Sequence, residues 1–271
     1  MNERESQKKS PWTFFILVFA LSVPFWVLDV LYPMNLPLDN LPVTDIGATF
    51  TPLAAALILV YREGEPRGVR RFLARAFDYQ RITKKTWYIP ILFLMPLLYV
   101  LTYGAMRLAG MPVPTEYHIP VTVPLIFLAF FFAAAGEEMG YTGYATDPLQ
   151  ARYGALGAAL IMGPIHAVWH WPSMIMIGQT VGLFALGTLL TIGFRILTVW
   201  LYNNAGCSVF AAILFHAVTN TGRSVFPGGR ATMELGDAAI AYTLVILAAV
   251  IVALLWDRET LTRFRYSQTV T

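Results

Sequence analysis

The sequence predicts an all-α fold: an integral membrane bundle of about eight transmembrane helices, with residues 1–271 forming one multi-pass domain. Hydrophobic residues make up 57% of the chain and charged residues only 13%, whereas soluble domains carry about 25% charged residues. The apolar residues also occur in blocks that are long enough to cross a bilayer as a helix. This balance excludes a soluble enzyme and a nucleic-acid-binding protein. It predicts a fold that is embedded in the lipid bilayer.

Eight segments satisfy the length and apolarity expected of a transmembrane helix. The first is longer than the apolar region of a signal peptide and is not followed by a small-residue cleavage site, so we expect it to be retained. The fourth, fifth and seventh are unusual because they contain ionisable residues. In chain order the predicted spans are 11–32, 46–62, 87–110, 122–141, 155–177, 181–202, 206–221 and 238–256.

The distribution of basic residues predicts the orientation of these spans. If the N-terminus is cytoplasmic, most of the 19 Lys and Arg residues fall in cytoplasmic segments, as the positive-inside rule requires. The longest basic stretch is 62–85, in which Arg70, Arg71 and Arg75 predict either an amphipathic helix on the inner surface or a loop that fixes the topology. We therefore expect a multi-pass protein of the cell membrane with both termini in the cytoplasm.

Ionisable and amide side chains recur within three of the predicted spans, where each is costly to bury in hydrocarbon. They are Glu137 and Glu138 in the fourth span, His166 and His170 in the fifth, and His216 and Asn220 in the seventh. Residues four apart share one face of a helix, so each of the last two pairs points in one direction. The spacing therefore predicts a polar pocket to which three helices contribute.

The residue types in this pocket are those that hydrolysis of an amide bond requires. A carboxylate in an apolar pocket can act as a general base, and a neighbouring imidazole can help to position and deprotonate a water molecule. A second imidazole and a carboxamide one turn apart can donate hydrogen bonds to a developing oxyanion. The set indicates hydrolysis of a peptide bond inside the membrane.

Other interpretations of the same residues remain open. The glutamates could form a structural ion pair with Arg195 in the sixth span, or belong to the proton relay of a transporter, although the inverted repeats typical of transporters are not evident. His166 and His170 with a nearby carboxylate could also bind zinc. The single cysteine, Cys207, excludes a CxxC metal motif and an intrachain disulfide.

Three strings carry a resemblance to a known family: GEEMGYTGY, HAVWHWP and FHAVTN. In order they are similar to the motifs EExxxR, FxxxH and HxxxN of the CPBP family of intramembrane glutamic endopeptidases, which includes CAAX prenyl protease 2 and lysostaphin-resistance-A-like proteins. The resemblance covers about 125–222, which we expect to be the catalytic core.

The resemblance implies a hydrolase that cleaves a membrane-associated peptide or protein, either prenylated and of the CAAX type or of the bacteriocin type. Glu137 would be the general base and Glu138 would support the site, while His170 would position the attacking water. His216 and Asn220 would form the oxyanion hole. The family mechanism implies no metal cofactor.

Two positions depart from the family motifs. Thr142 stands where EExxxR has Arg, and His166 stands where FxxxH has Phe. We expect both residues to contact the substrate or to support the catalytic residues. Because Thr142 cannot supply a guanidinium charge, a second function stays open: a non-catalytic bacteriocin-immunity or regulatory protein that binds a peptide or a partner.

Overall fold

The computed structural model describes residues 10–34, 43–116, 119–229 and 238–266. These residues form ten α-helices and no β-strand, which confirms the predicted all-α fold. The helices are α1 (Pro11–Leu31), α2 (Val43–Ala48), α3 (Thr51–Arg62), α4 (Gly68–Ala74), α5 (Tyr88–Leu108), α6 (Val123–Gly140), α7 (Asp147–Met176), α8 (Val181–Asn204), α9 (Val209–Ser224) and α10 (Ala239–Leu255).

Each predicted span corresponds to helical structure, with ends that differ by a few residues. Five stretches of the described chain are long and apolar enough to cross a membrane by themselves, and one of them, Val123–Met176, contains both α6 and α7. The helices α9 and α10 are shorter, with 16 and 17 residues. The apolar helices confirm a membrane protein, while the predicted domain and core boundaries remain predictions.

The second predicted span is divided, and the fourth and fifth are continuous. The chain turns between α2 and α3, just before Pro52 in the first turn of α3. At the other junction, α6 passes through a π-helical turn, Tyr141–Thr146, directly into α7. The chain then bends at Gly154, whose φ of 70° favours glycine.

Small residues bring α6 unusually close to the α2–α3 junction. A Cβ atom on Gly136 would lie 2.7 Å from the Thr49 carbonyl oxygen, and one on Gly140 would lie 2.6 Å from that of Pro52. Glycines permit this approach of two backbones in a membrane helix pair. The packing fixes the height and rotation of the helix that carries Glu137 and Glu138.

One end of the bundle is formed by segments 62–85, 143–154, 202–208 and 256–266, which we call the basic end. The Arg75 guanidinium donates to the Gly143 carbonyl at 2.6 Å, and Arg81 Nε donates to the Gly206 carbonyl at 3.0 Å. The Ala155 amide donates to the Glu259 carbonyl at 2.8 Å. These hydrogen bonds join the segments into one surface.

The opposite end is formed by segments 43–50, 109–116, 177–181 and 223–229. Ser173, near the end of α7, donates to the Asp45 carboxylate at 2.5 Å. The Phe226 ring packs 6.3 Å from the Tyr103 ring, and the Tyr103 hydroxyl donates to the Pro114 carbonyl. The long helices connect the two ends.

Candidate active site

Glu137 and two histidines of α7 form the first part of the site. Glu137 Oε2 lies 3.0 Å from His166 Nε2 and 3.9 Å from His170 Nε2. The first distance is a hydrogen bond, whereas the second is one that a water molecule or a substrate group could bridge. Glu137 and His166 are buried, but the His170 side chain is 35% exposed. His166 therefore holds the carboxylate, and His170 is the more accessible imidazole.

Glu138 is the centre of a separate, fully buried ionic network. Both of its oxygens accept hydrogen bonds from the Arg195 guanidinium of α8, one of them at 2.8 Å. It also accepts from Thr142 Oγ1 at 2.5 Å and pairs with His216 Nδ1 at 2.9 Å. The guanidinium carbon of Arg195 lies 5.3 Å from the centre of the Tyr141 ring, a cation–π contact. This network holds α6, α8 and α9 together.

The contact with Glu138 determines which nitrogen of His216 carries a proton. An ionised carboxylate can only accept hydrogen bonds, so His216 Nδ1 is the donor. In a neutral imidazole Nε2 is then an acceptor, and only the imidazolium form donates from both nitrogens. His216 can therefore donate to an oxyanion in its charged form.

Asn220 lies one turn beyond His216 on α9. Its side-chain oxygen accepts a hydrogen bond from Arg223 Nη2 at 2.9 Å. Because an arginine can only donate, this contact fixes the orientation of the amide. The Asn220 amide nitrogen can then donate to a bound ligand.

A cavity of about 430 Å³ joins these groups. Five of the seven predicted site residues line it: Glu137, His166, His170, His216 and Asn220. Glu138 and Thr142 lie behind this wall, next to Arg195. Most of the remaining wall is apolar and aromatic, including Trp26, Phe50 and Phe130. A few convergent polar groups within an apolar cavity of this size are typical of ligand sites.

Two polar groups of this cavity were not predicted from the sequence. Arg223 orients Asn220, and its spacing of three residues on the same helix would have pointed to it. The second group is Asp45 with Ser173, which join α2 to α7 near the opposite end. No sequence signal connects them, because they are 128 residues apart.

The chemistry of one residue group is compatible with a metal. Among the described residues, Glu137, His166 and His170 form the one set of three potential ligands whose donor atoms lie within 4.8 Å of one another. Zinc-binding histidines usually donate their second ring nitrogen to a carboxylate or a carbonyl. His166 Nδ1 is buried and has no hydrogen-bond partner among the described residues. The set could hold zinc, but His166 lacks the outer contact that normally orients such a ligand.

A helical membrane bundle with a carboxylate, two imidazoles and a His–Asn pair on one cavity has the groups of an intramembrane protease. Residues 119–222 match the family model described as type II CAAX prenyl endopeptidase Rce1-like. CAAX prenyl protease 2 of Methanococcus maripaludis is 24% identical to the chain over 277 residues, which cover 94% of this chain and 96% of the relative. Residues 119–222 are thus similar to the Rce1-like family of membrane proteases, and the resemblance carried by the three motifs is confirmed.

Proposed function

We propose that the protein hydrolyses a peptide bond of a membrane-associated substrate in this cavity, with Glu137 as general base. The observation that supports the proposal most strongly is the position of Glu137. Its carboxylate is hydrogen-bonded to His166, lies 3.9 Å from His170, and is exposed to the same cavity as His216 and Asn220. A base, a partner for water and two hydrogen-bond donors therefore surround one space.

The proposed reaction uses the residues in a fixed order. Glu137 takes a proton from a water molecule that His170 helps to position, and the resulting hydroxide attacks the carbonyl carbon. Asn220 Nδ2 and the charged form of His216 donate to the oxyanion of the tetrahedral intermediate. Glu137 then gives its proton to the leaving amine, so that one water molecule is consumed and a carboxylic acid and an amine are formed.

Glu138, Thr142 and Arg195 support this reaction without contacting the substrate. The carboxylate of Glu138 holds His216 Nδ1, and Arg195 neutralises that carboxylate. A guanidinium thus reaches Glu138 from α8 although Thr142 replaces the motif arginine. The departure at Thr142 therefore does not favour the non-catalytic alternative.

The proposed substrate is a peptide or protein that carries an apolar group or membrane segment beside the scissile bond. The apolar wall of the cavity supports this class, because it would bury such a group. The name of the Methanococcus relative indicates a prenylated CAAX substrate for that protein. An apolar bacteriocin-type peptide without a prenyl group could bind against the same apolar wall.

The experiment that tests the proposal compares peptide termini in membranes that contain the wild-type protein or the Glu137→Ala variant. We expect a set of new termini that is present with the wild type and absent with the variant at equal protein levels. Purified protein in liposomes should then cleave a peptide spanning one of these termini. Identical termini with both proteins at equal protein levels would contradict hydrolysis by Glu137 and favour the non-catalytic alternative.

A metal chelator should leave the cleavage rate unchanged. We propose a metal-independent reaction because Glu137 and His170 can activate water directly. The measurement is the rate of peptide cleavage before and after dialysis against 1,10-phenanthroline. A lost activity that returns on addition of zinc alone, and does not return in a His166→Phe variant, would instead assign a catalytic zinc to Glu137, His166 and His170.

A further inference from the structure

The cavity extends from the catalytic residues to only one end of the bundle, the end opposite the basic end. Its lining residues reach Asp45, Ile177, Gln179 and Arg223 at the opposite end, and none of them belongs to the segments of the basic end. The depth of the cavity follows from the rise of an α-helix, which is about 1.5 Å per residue. Arg223 lies seven residues beyond His216, so the cavity extends about 10 Å from the His216 level to the opposite end.

Buried residues close the cavity toward the basic end. Gly143, whose carbonyl accepts a hydrogen bond from Arg75, follows Glu137 by six residues. This spacing corresponds to about 9 Å along the helix. Tyr141 and Thr142 fill this interval and are completely buried. The Tyr202 side chain, also completely buried, accepts a hydrogen bond from the same Arg75 guanidinium that donates to Gly143. A packed layer therefore separates the site from the basic end.

The two ends differ strongly in positive charge. In and next to the segments of the opposite end the described residues include only two arginines, Arg223 and, in the last turn of α5, Arg107. At the basic end they include Arg62, Arg67, Arg70, Arg71, Arg75, Arg81, Lys84, Lys85, Arg152, Arg258, Arg263 and Arg265. Short loops rich in Lys and Arg remain in the cytoplasm during membrane insertion, so the basic end is the cytoplasmic end.

We propose that the active site opens to the extracytoplasmic side of the cell membrane. Its substrate is then an exported peptide, a protein anchored in the outer leaflet, or an outward-facing segment of a membrane protein. A protein prenylated in the cytoplasm would approach the basic end, from which buried residues close off the active site. The class of substrate rests on the proposed peptidase function, whereas the side of access rests on the cavity and the charges.

Cysteine labelling in intact cells tests the orientation without any substrate. The native Cys207 lies at the basic end and is first replaced in a Cys207→Ser background. Val181→Cys then places a thiol beside the cavity mouth, where the native side chain is 88% exposed. Lys84→Cys places an exposed thiol at the basic end as the matched control. A membrane-impermeant maleimide should label Val181→Cys in intact cells and Lys84→Cys only after permeabilisation.

The reverse pattern, or equal labelling of both variants in intact cells, would overturn the proposed orientation. A second arm presents the same cleavable peptide on an outer-leaflet anchor or on a cytoplasmic prenyl anchor. We expect only the outer peptide to be cut, in a reaction that Glu137→Ala abolishes. If labelling agrees but neither peptide is cut, the orientation stands and the proposed function for these substrates fails. Cleavage of the cytoplasmic peptide alone would contradict the inference directly.

Discussion

Replacing Glu137 by Gln should reduce kcat by about 10²- to 10⁴-fold, the usual contribution of a general base. Glutamine has nearly the same shape as glutamate, and its oxygen can still accept the hydrogen bond from His166 Nε2. It cannot take a proton from water at neutral pH. We therefore expect a loss of rate with little change in KM or in thermal stability. The measurement is steady-state cleavage of a membrane-anchored peptide by purified protein in liposomes.

Asp45→Asn is the matched control for this experiment. Asp45 is another carboxylate on the wall of the same cavity. It accepts a hydrogen bond from Ser173, which an amide oxygen could accept as well. We expect a change in rate that is far smaller than that of Glu137→Gln. A Glu137→Gln protein that is folded and retains the wild-type kcat would exclude Glu137 as the general base.

The sequence predicted the helical fold well because bilayer thickness imposes a length that apolar segments reveal directly. It did not predict the π-helical turn at Tyr141–Thr146. That turn exposes the Gly143 carbonyl to Arg75, which is 68 residues away in the chain. The apolar periodicity contains no signal for a long-range contact of this kind.

The sequence also predicted which helices form the site, but it did not determine the direction of each side chain. Adjacent helical residues differ by about 100° in direction, so Glu137 and Glu138 cannot both face one cavity. Their packing decides which does: Gly136 and Gly140 contact the α2–α3 junction, and Glu138 is turned toward Arg195. The positions of the two α7 histidines relative to Glu137 depend on helix packing in a similar way.

His166 and His170 share a helix face, and a shift of α7 by one turn, about 5.4 Å, would exchange their positions relative to Glu137. The structure places His166 at hydrogen-bonding distance and His170 farther away. Only the packing of α7 against its neighbours, which the sequence pattern does not specify, determines this height. The assignment of His170 to the water therefore depends on its exposure to the cavity rather than on contact with Glu137.

Replacing Arg195 by Met should destabilise the protein by about 3–5 kcal/mol, the cost of leaving one partner of a buried ion pair without the other. Methionine keeps most of the volume but leaves Glu138 with an uncompensated charge between three helices. We expect activity to fall as well, because the guanidinium would no longer fix the Glu138 carboxylate that holds His216. Thermal unfolding in detergent and peptide cleavage measure the two effects.

Thr142→Arg provides the informative second variant. Arg195 and Thr142 both donate to Glu138 Oε2, at 2.8 and 2.5 Å. An arginine at position 142 would follow Glu138 by four residues, a spacing that favours an ion pair on one helix face. The Arg195→Met/Thr142→Arg protein should therefore recover stability and activity relative to Arg195→Met alone.

Thr142→Val in the wild-type background is the control, since it removes a single hydrogen bond to a charged carboxylate and should cost about 1.5–3 kcal/mol. If the double variant is no more stable than Arg195→Met, the contribution of Arg195 is its packing against Tyr141 and Phe194 rather than its charge. If stability returns but activity does not, a guanidinium at either position can pair with the Glu138 carboxylate. The correct position of His216 would then require the guanidinium of Arg195 on α8. Recovery of both would mean that the site needs one positive charge beside Glu138, and that the chain can supply it from either helix.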